Sequence, residues 1–160
     1  MKLIQNASAL ETKNEMSRML CEGIRDPSVR AKALEVTSGH DADTITPIFA
    51  WVKSRTRYVL DPVNAEMFTS PRKMLERIRE SGRAEEDCDG LALLTAAMLG
   101  SIGHRVRIAL VDLNADGELD HAMCQVYDEN TNQWLNADTS STNPLGWEVS
   151  SVKTEYVLGE

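Results

Sequence analysis

The period of the hydrophobic pattern changes once along this chain, near residue 104, and that change restricts the fold more than any other feature. Before it, apolar residues recur at helical spacing: Leu10, Met16, Met19, Leu20 and Ile24 form one stripe over residues 8–24. Asp26-Pro27 is an N-cap followed by proline at the first helical position, and Gly39 is expected to close the helix it opens. Residues 44–57 predict a third helix with Ile48, Trp51 and Val52 on one side. Ser70-Pro71 starts a fourth, carrying Met74, Leu75 and Ile78 as far as Gly82, and a fifth runs from Cys88 to Gly100. After residue 104 the period is two: Val106, Ile108 and Leu110 alternate with Arg105, Arg107 and Ala109. Polar turns then separate strands over 121–127 and 133–138, and 154–158 reads as an edge strand. Helices first and antiparallel strands afterwards predict an α+β fold, a helical N-terminal half packed on a small antiparallel β-sheet. With 160 residues, no repeat and no Pro/Gly/Ser linker, a single domain over 1–160 is expected, with 1–40 as a helical extension and 41–147 as the core.

Charge narrows the function. Asp and Glu total 25 against 17 Lys and Arg, a net charge of −8, the opposite of a nucleic-acid or polybasic membrane footprint. The apolar stretch from Leu91 to Leu99 is too short to span a bilayer, and the opening MKLIQNASALE carries too little apolar sequence for a signal peptide, so a cytoplasmic location is expected. Cys21, Cys88 and Cys124 cannot all pair among themselves, and free thiols are expected.

One of those thiols sits where chemistry is possible. Cys88 opens a helix in EEDCDGLALL, where unpaired amides and the helix dipole favour a thiolate. Glu85, Glu86, Asp87 and Asp89 oppose that, since their charge raises a thiol pKa; they also serve as first-turn and capping groups. Taken alone, a cysteine on an apolar stripe is a small core residue. Strand parity adds two partners. If 111 pairs with 120, His121 shares a face with Val106, Ile108 and Leu110, the face expected to meet the Cys88 helix. If the ENTN turn pairs 128 with 133, then 123 pairs with 138 and Asp138 lies diagonally across from His121. Cys124 falls on the other face. A thiol nucleophile, an imidazole to take its proton and a carboxylate to orient the imidazole make up a catalytic triad.

The blocks DCDGLALLTAAMLGSIGHRVRIALV, DHAMCQVYD and NQWLNADTSSTNPLGW resemble the transglutaminase-like superfamily, and IFAWVKSRTRYVLDP followed by SPRKMLERI resembles the form carried by bacteriophages and prophages. The resemblance covers about residues 45–147. It implies a papain-type core with Cys88, His121 and Asp138 as the triad, and amide chemistry on a protein or peptide carboxamide: hydrolysis as by a cysteine peptidase or deamidase, or acyl transfer as by a transglutaminase. That chemistry requires no cofactor, and the acidic charge argues against a nucleic-acid or membrane partner. The alternative is an inactive member acting as a binding or assembly protein, with phage structural proteins as partners. The sequence departs from the family's pattern in having Glu86 where Gly is usual, Gly90 where an acid is frequent, and Met123 where an aromatic commonly follows H-A. Cys88's own N–H is one expected oxyanion donor, with Trp51, Tyr58 and Asn64 as candidates for the second.

Asp112, Asn114, Asp116 and Gly117 match the first half of an EF-hand loop and Asp120 falls at its ninth position, but Met123 occupies the position that needs a bidentate Glu. A polar hairpin turn explains the segment, and no metal is expected. His104 reads as a helix C-cap, and Arg105 and Arg107 as outward charges balancing acidic neighbours.

Overall fold

The computed structural model describes residues 2–5, 9–60, 65–151 and 153–159. Helices α1 (Ala9–Arg25), α2 (Pro27–Val36), α3 (Ile45–Arg55) and α4 (Pro71–Ser81) surround α5 (Cys88–Ser101). Short strands β1 (Lys2–Gln5) and β3 (Ala65–Phe68) pair antiparallel, and β2 (Thr56–Tyr58) pairs parallel with β4 (Ala84–Glu86). The main sheet is antiparallel, with β5 (Val106–Val111), β6 (His121–Asp128), β7 (Gln133–Ala137) and β8 (Thr154–Leu158) in the order β7-β6-β5-β8. The α+β layout read from the pattern is the observed one.

Capping chemistry sets the helix starts. Asp26 accepts from the Ser28 amide at 2.8 Å, Ser70 from Lys73 at 3.2 Å, and Asp87 from Gly90 at 3.0 Å. At α3 the cap is Asp43 rather than Thr44: its carboxylate takes the Ile45 and Thr46 amides. Gly82 stops α4 in the left-handed conformation that costs glycine least.

Helix α5 is the centre of the molecule. Every residue from Gly90 to Leu99 is buried, so the stripe seen in sequence is only part of its contact surface. Met16, Met19 and Leu20 of α1, Val29 and Ala33 of α2, and Ile48 and Val52 of α3 join it in one core. The sheet closes that core with Ile108, Leu110, Ala122, Cys124, Val126, Ala137 and Val157. A first stretch purely helical up to residue 40 is not what forms, since β1 precedes α1.

The β5–β6 hairpin differs from expectation by one residue. Val111 pairs with His121, not with residue 120, so the turn holds residues 112–120. His121 therefore shares its face with Arg107, Ala109 and Val111, and α5 packs on the opposite face, where Ala122 and Cys124 point. The turn's own carboxylates set its length. Asp112 is buried and accepts from the Asp116 and Gly117 amides, while Asp120 accepts from Leu113 and Asn114. Asp112, Asp116 and Asp120 thus gather carboxylate oxygens within 4.8 Å of one another. His104, expected to cap α5 as a cation, instead bonds Thr44 Oγ1 through Nε2 at 2.7 Å, and burial pushes its pKa down against the pull of Asp43. Among the described residues, no helix is long and apolar enough to cross a membrane.

Candidate active site

Three elements converge at the N-terminus of α5. Cys88 is the first residue of the helix and is half-buried, with Asp87 before it as the cap. His121 opens β6, and Asp138 follows the last residue of β7. The β6–β7 register pairs Cys124 with Ala137 and Asp128 with Gln133, as the ENTN turn predicts, which puts Asp138 diagonal to His121. That relation depends on β6 and β7 alone, so it survives the one-residue shift in the preceding hairpin.

His121 Nε2 lies 2.8 Å from Asp138 Oδ2, in a pair that is largely buried. The other oxygen of Asp138 accepts from the Ser140 amide at 3.1 Å and hydroxyl at 2.7 Å. Burial disfavours the Asp138 anion, but these bonds and the imidazole outweigh it and hold the carboxyl below its usual pKa. Behind it, Thr139 Oγ1 lies 3.0 Å from Thr95 Oγ1, tying the end of β7 to α5. With Nε2 engaged, Nδ1 is the nitrogen left for a substrate or thiol proton.

The start of β6 acts on the thiol through its backbone: the polarity of the Ala122 N–H favours the Cys88 thiolate. Everything else there opposes ionisation. Burial is the largest effect, followed by the charges of Asp89, Asp87 and Asp138, and together they push the Cys88 thiol far above its ordinary pKa. The Sγ–H is directed to Asp89 Oδ1 at 3.8 Å. Of the four flanking acids, Glu85 faces Arg57 at 4.0 Å and buried Glu86 faces Arg77 at 3.6 Å.

The two unusual residues flanking the thiol fit one another. A Cβ placed on Gly90 would lie 2.2 Å from Glu86 Cγ, so the Glu86 side chain fills the space that a side chain at 90 would need. An acid two positions before Cys88 and a glycine two positions after it are one packing solution.

The further oxyanion candidates do not stand out. Trp51 packs against the core, with Lys32 Nζ 5.9 Å from its ring centre; Tyr58 is 43% exposed on β2; Asn64 lies outside the described residues. Cys124 is fully buried on the face opposite His121. The sequence reading missed the Ala122 amide, which no side-chain motif announces, and the Thr95–Thr139 bond.

Residues 30–139 match the Transglutaminase-like superfamily. The chain belongs to that superfamily. Its fold is similar to a candidate cysteine protease from Cytophaga hutchinsonii, at 13% identity and a TM-score of 0.55. The likeness covers 96% of this chain and 61% of that one. It is also similar to a candidate protease from Parabacteroides distasonis, at 11% identity and a TM-score of 0.54, covering 83% of this chain and 27% of that one. The transglutaminase-like chain thus spans only part of each of these structures. No curated protein matches it in sequence.

Proposed function

We propose that this transglutaminase-like protein performs cysteine-nucleophile chemistry on a protein or peptide carboxamide, with Cys88 as nucleophile, His121 as base and acid, and Asp138 as the group that orients the imidazole. The observation that carries the reading is the 2.8 Å His121–Asp138 bond at the β6 terminus, next to the Ala122 amide whose polarity favours the Cys88 thiolate. Since burial and three carboxylates favour a neutral thiol at rest, the thiol is deprotonated during attack rather than before it. His121 Nδ1 takes the Sγ proton as sulfur adds to the carbonyl carbon. The imidazolium, held by Asp138, then returns the proton to the leaving nitrogen, giving a thioester. Water attacks the thioester with His121 as base, releasing the acid and regenerating the thiol. A primary amine in place of water would give acyl transfer; hydrolysis is favoured because it needs no second-substrate site.

The test is three assays on one preparation: cleavage of a fluorogenic protein substrate, ammonia release from glutaminyl peptides, and incorporation of a dansylated amine into protein. Activity in any of them that disappears in Cys88→Ala and falls at least about a hundredfold in His121→Ala supports the reading. Silence in all three, with Cys88 alkylation unchanged by His121→Ala, overturns it. A second reading, a non-catalytic binding or phage assembly protein with the same fold, is favoured by the neutral thiol directed to Asp89, and that silent result would point to it.

A further inference from the structure

The outer face of the main sheet, the side away from α5, carries an unusual collection of side chains. Three of the chain's eight aromatic residues are there: Tyr127, Trp134 and Tyr156. Arg107 has its guanidinium carbon 4.0 Å from the Trp134 ring centre and 3.9 Å from that of Tyr156, rings contributed by β7 and β8 from opposite sides of the sheet. Its Nε donates to Gln125 at 2.7 Å. Rings therefore cover the flat faces and Gln125 occupies one edge, which leaves the terminal N–H edge as the open direction. Arg105 lies 4.6 Å from the Tyr127 ring centre. Neither arginine forms an ion pair among the described residues, whereas Lys13, Arg18, Arg57, Arg72 and Arg77 each face a carboxylate. The charge-balancing role expected of Arg105 and Arg107 is not the observed one.

Stacking lets a guanidinium stay charged and ordered without an anion, so its in-plane donors remain available. Such an edge matches a carboxylate, which can take two parallel N–H bonds. Beside it, Tyr156 is 42% and Leu158 50% exposed on the same face. Trp, Tyr and Arg together, with Asp138 of the same face already bonded to His121, is the composition found where protein surfaces bind one another most strongly.

We propose that this face, centred on Arg105 and Arg107, is a docking surface for a polypeptide segment bearing acidic and apolar side chains. The charge complementarity is local: an overall charge of −8 disfavours a nucleic acid, while two adjacent guanidiniums among aromatic rings suit one or two carboxylates. The surface is independent of the chemistry assigned to Cys88. It does share the sheet face of His121, with Gln125 four residues along β6, about 13 Å away at the rise of a strand.

The experiment is fluorescence anisotropy on the full chain carrying Cys88→Ala, so that turnover plays no part. The probe is a fluorescein-labelled peptide of about twelve residues alternating Glu and Leu, long enough when extended to cross the sheet. The expected result is saturable binding that weakens with added salt and falls at least about tenfold both for the Gln-for-Glu peptide and for Arg105→Gln/Arg107→Gln. Circular dichroism of that variant verifies its fold, and the salt and peptide comparisons on the parent chain stand without it. No binding, or equal binding by the double variant, overturns the proposal. So does a labelled oligonucleotide that binds at least as tightly. A dimer in sedimentation that the double variant dissociates would also overturn it, by showing that a second copy occupies the face.

Discussion

Replacing Gly90 by alanine tests the packing around the thiol directly. The added methyl would sit 2.2 Å from Glu86 Cγ and 2.9 Å from both Cδ and Oε1, all closer than real carbon contacts permit. Glu86 is buried and held toward Arg77, so it cannot simply swing into solvent. Overpacking of this kind costs about 1–3 kcal/mol, against which alanine returns up to about 1 kcal/mol of helix propensity. Gly90→Ala should therefore lose about 1–2 kcal/mol, or roughly 2–8 °C in Tm for a chain of this size. Glu86→Ala removes a carboxylate whose partner, Arg77, is one-third exposed, so its cost is set by the loss of packing and is about 1 kcal/mol. In that background the clash is gone, and Gly90→Ala becomes neutral or stabilising by up to about 1 kcal/mol. The double-mutant cycle, read by urea unfolding of all four proteins, should give a coupling of about 2 kcal/mol. An equal penalty for Gly90→Ala in both backgrounds would refute the reasoning, because the space at residue 90 would then not be set by Glu86.

The remaining predictions concern the titratable and polar groups of the same region. The Asp138 pKa is depressed in the fold, so its contribution to stability is complete above about pH 4 and fades as pH falls through the lowered value. The stability gap between the parent and Asp138→Asn should accordingly narrow in acid urea titrations, and a gap that widens would contradict the assignment. Cys124 is fully buried with its pKa pushed up, so it should contribute a fall in stability of up to about 1.4 kcal/mol per pH unit above about pH 8.5, and Cys124→Ala should remove that share of the slope while the share of Cys88 stays. Iodoacetamide should reach Cys124 only on unfolding, which peptide mapping after native and denatured labelling will show. Thr139→Val removes one buried hydroxyl of the Thr95 pair while Thr95 Oγ1 keeps its 2.8 Å bond to Leu91 O. It should cost about 1 kcal/mol in chemical denaturation.

Where local chemistry decides structure, the sequence was readable. Asp26-Pro27, Ser70-Pro71 and Asp87 each carry their own capping instruction, and the corresponding helices start where those residues say. The Asp138–His121 relation was readable too, because a short turn fixes the β6–β7 register and parity does the rest. The β5–β6 turn was not, since its length depends on how the carboxylates of Asp112 and Asp120 fold back onto loop amides. A one-residue difference there moved His121 from the inner to the outer face of the sheet. The pairings of β1 with β3 and β2 with β4 join segments far apart in sequence and too short to show a period. Glu86 and Gly90 looked like two separate departures from the family pattern, and only the distance between them shows a single exchange.

A helix enclosed on every side has no local route by which to loosen. Amides in the middle of α5 should exchange with solvent only when the whole molecule opens, so their protection reports global stability. Because Cys88 is anchored to the end of that helix, the register of the thiol against β6 is as durable as the fold itself. Whatever mobility ligand entry demands must then come from the segments around it, and warming should erase structure and reactivity in one transition.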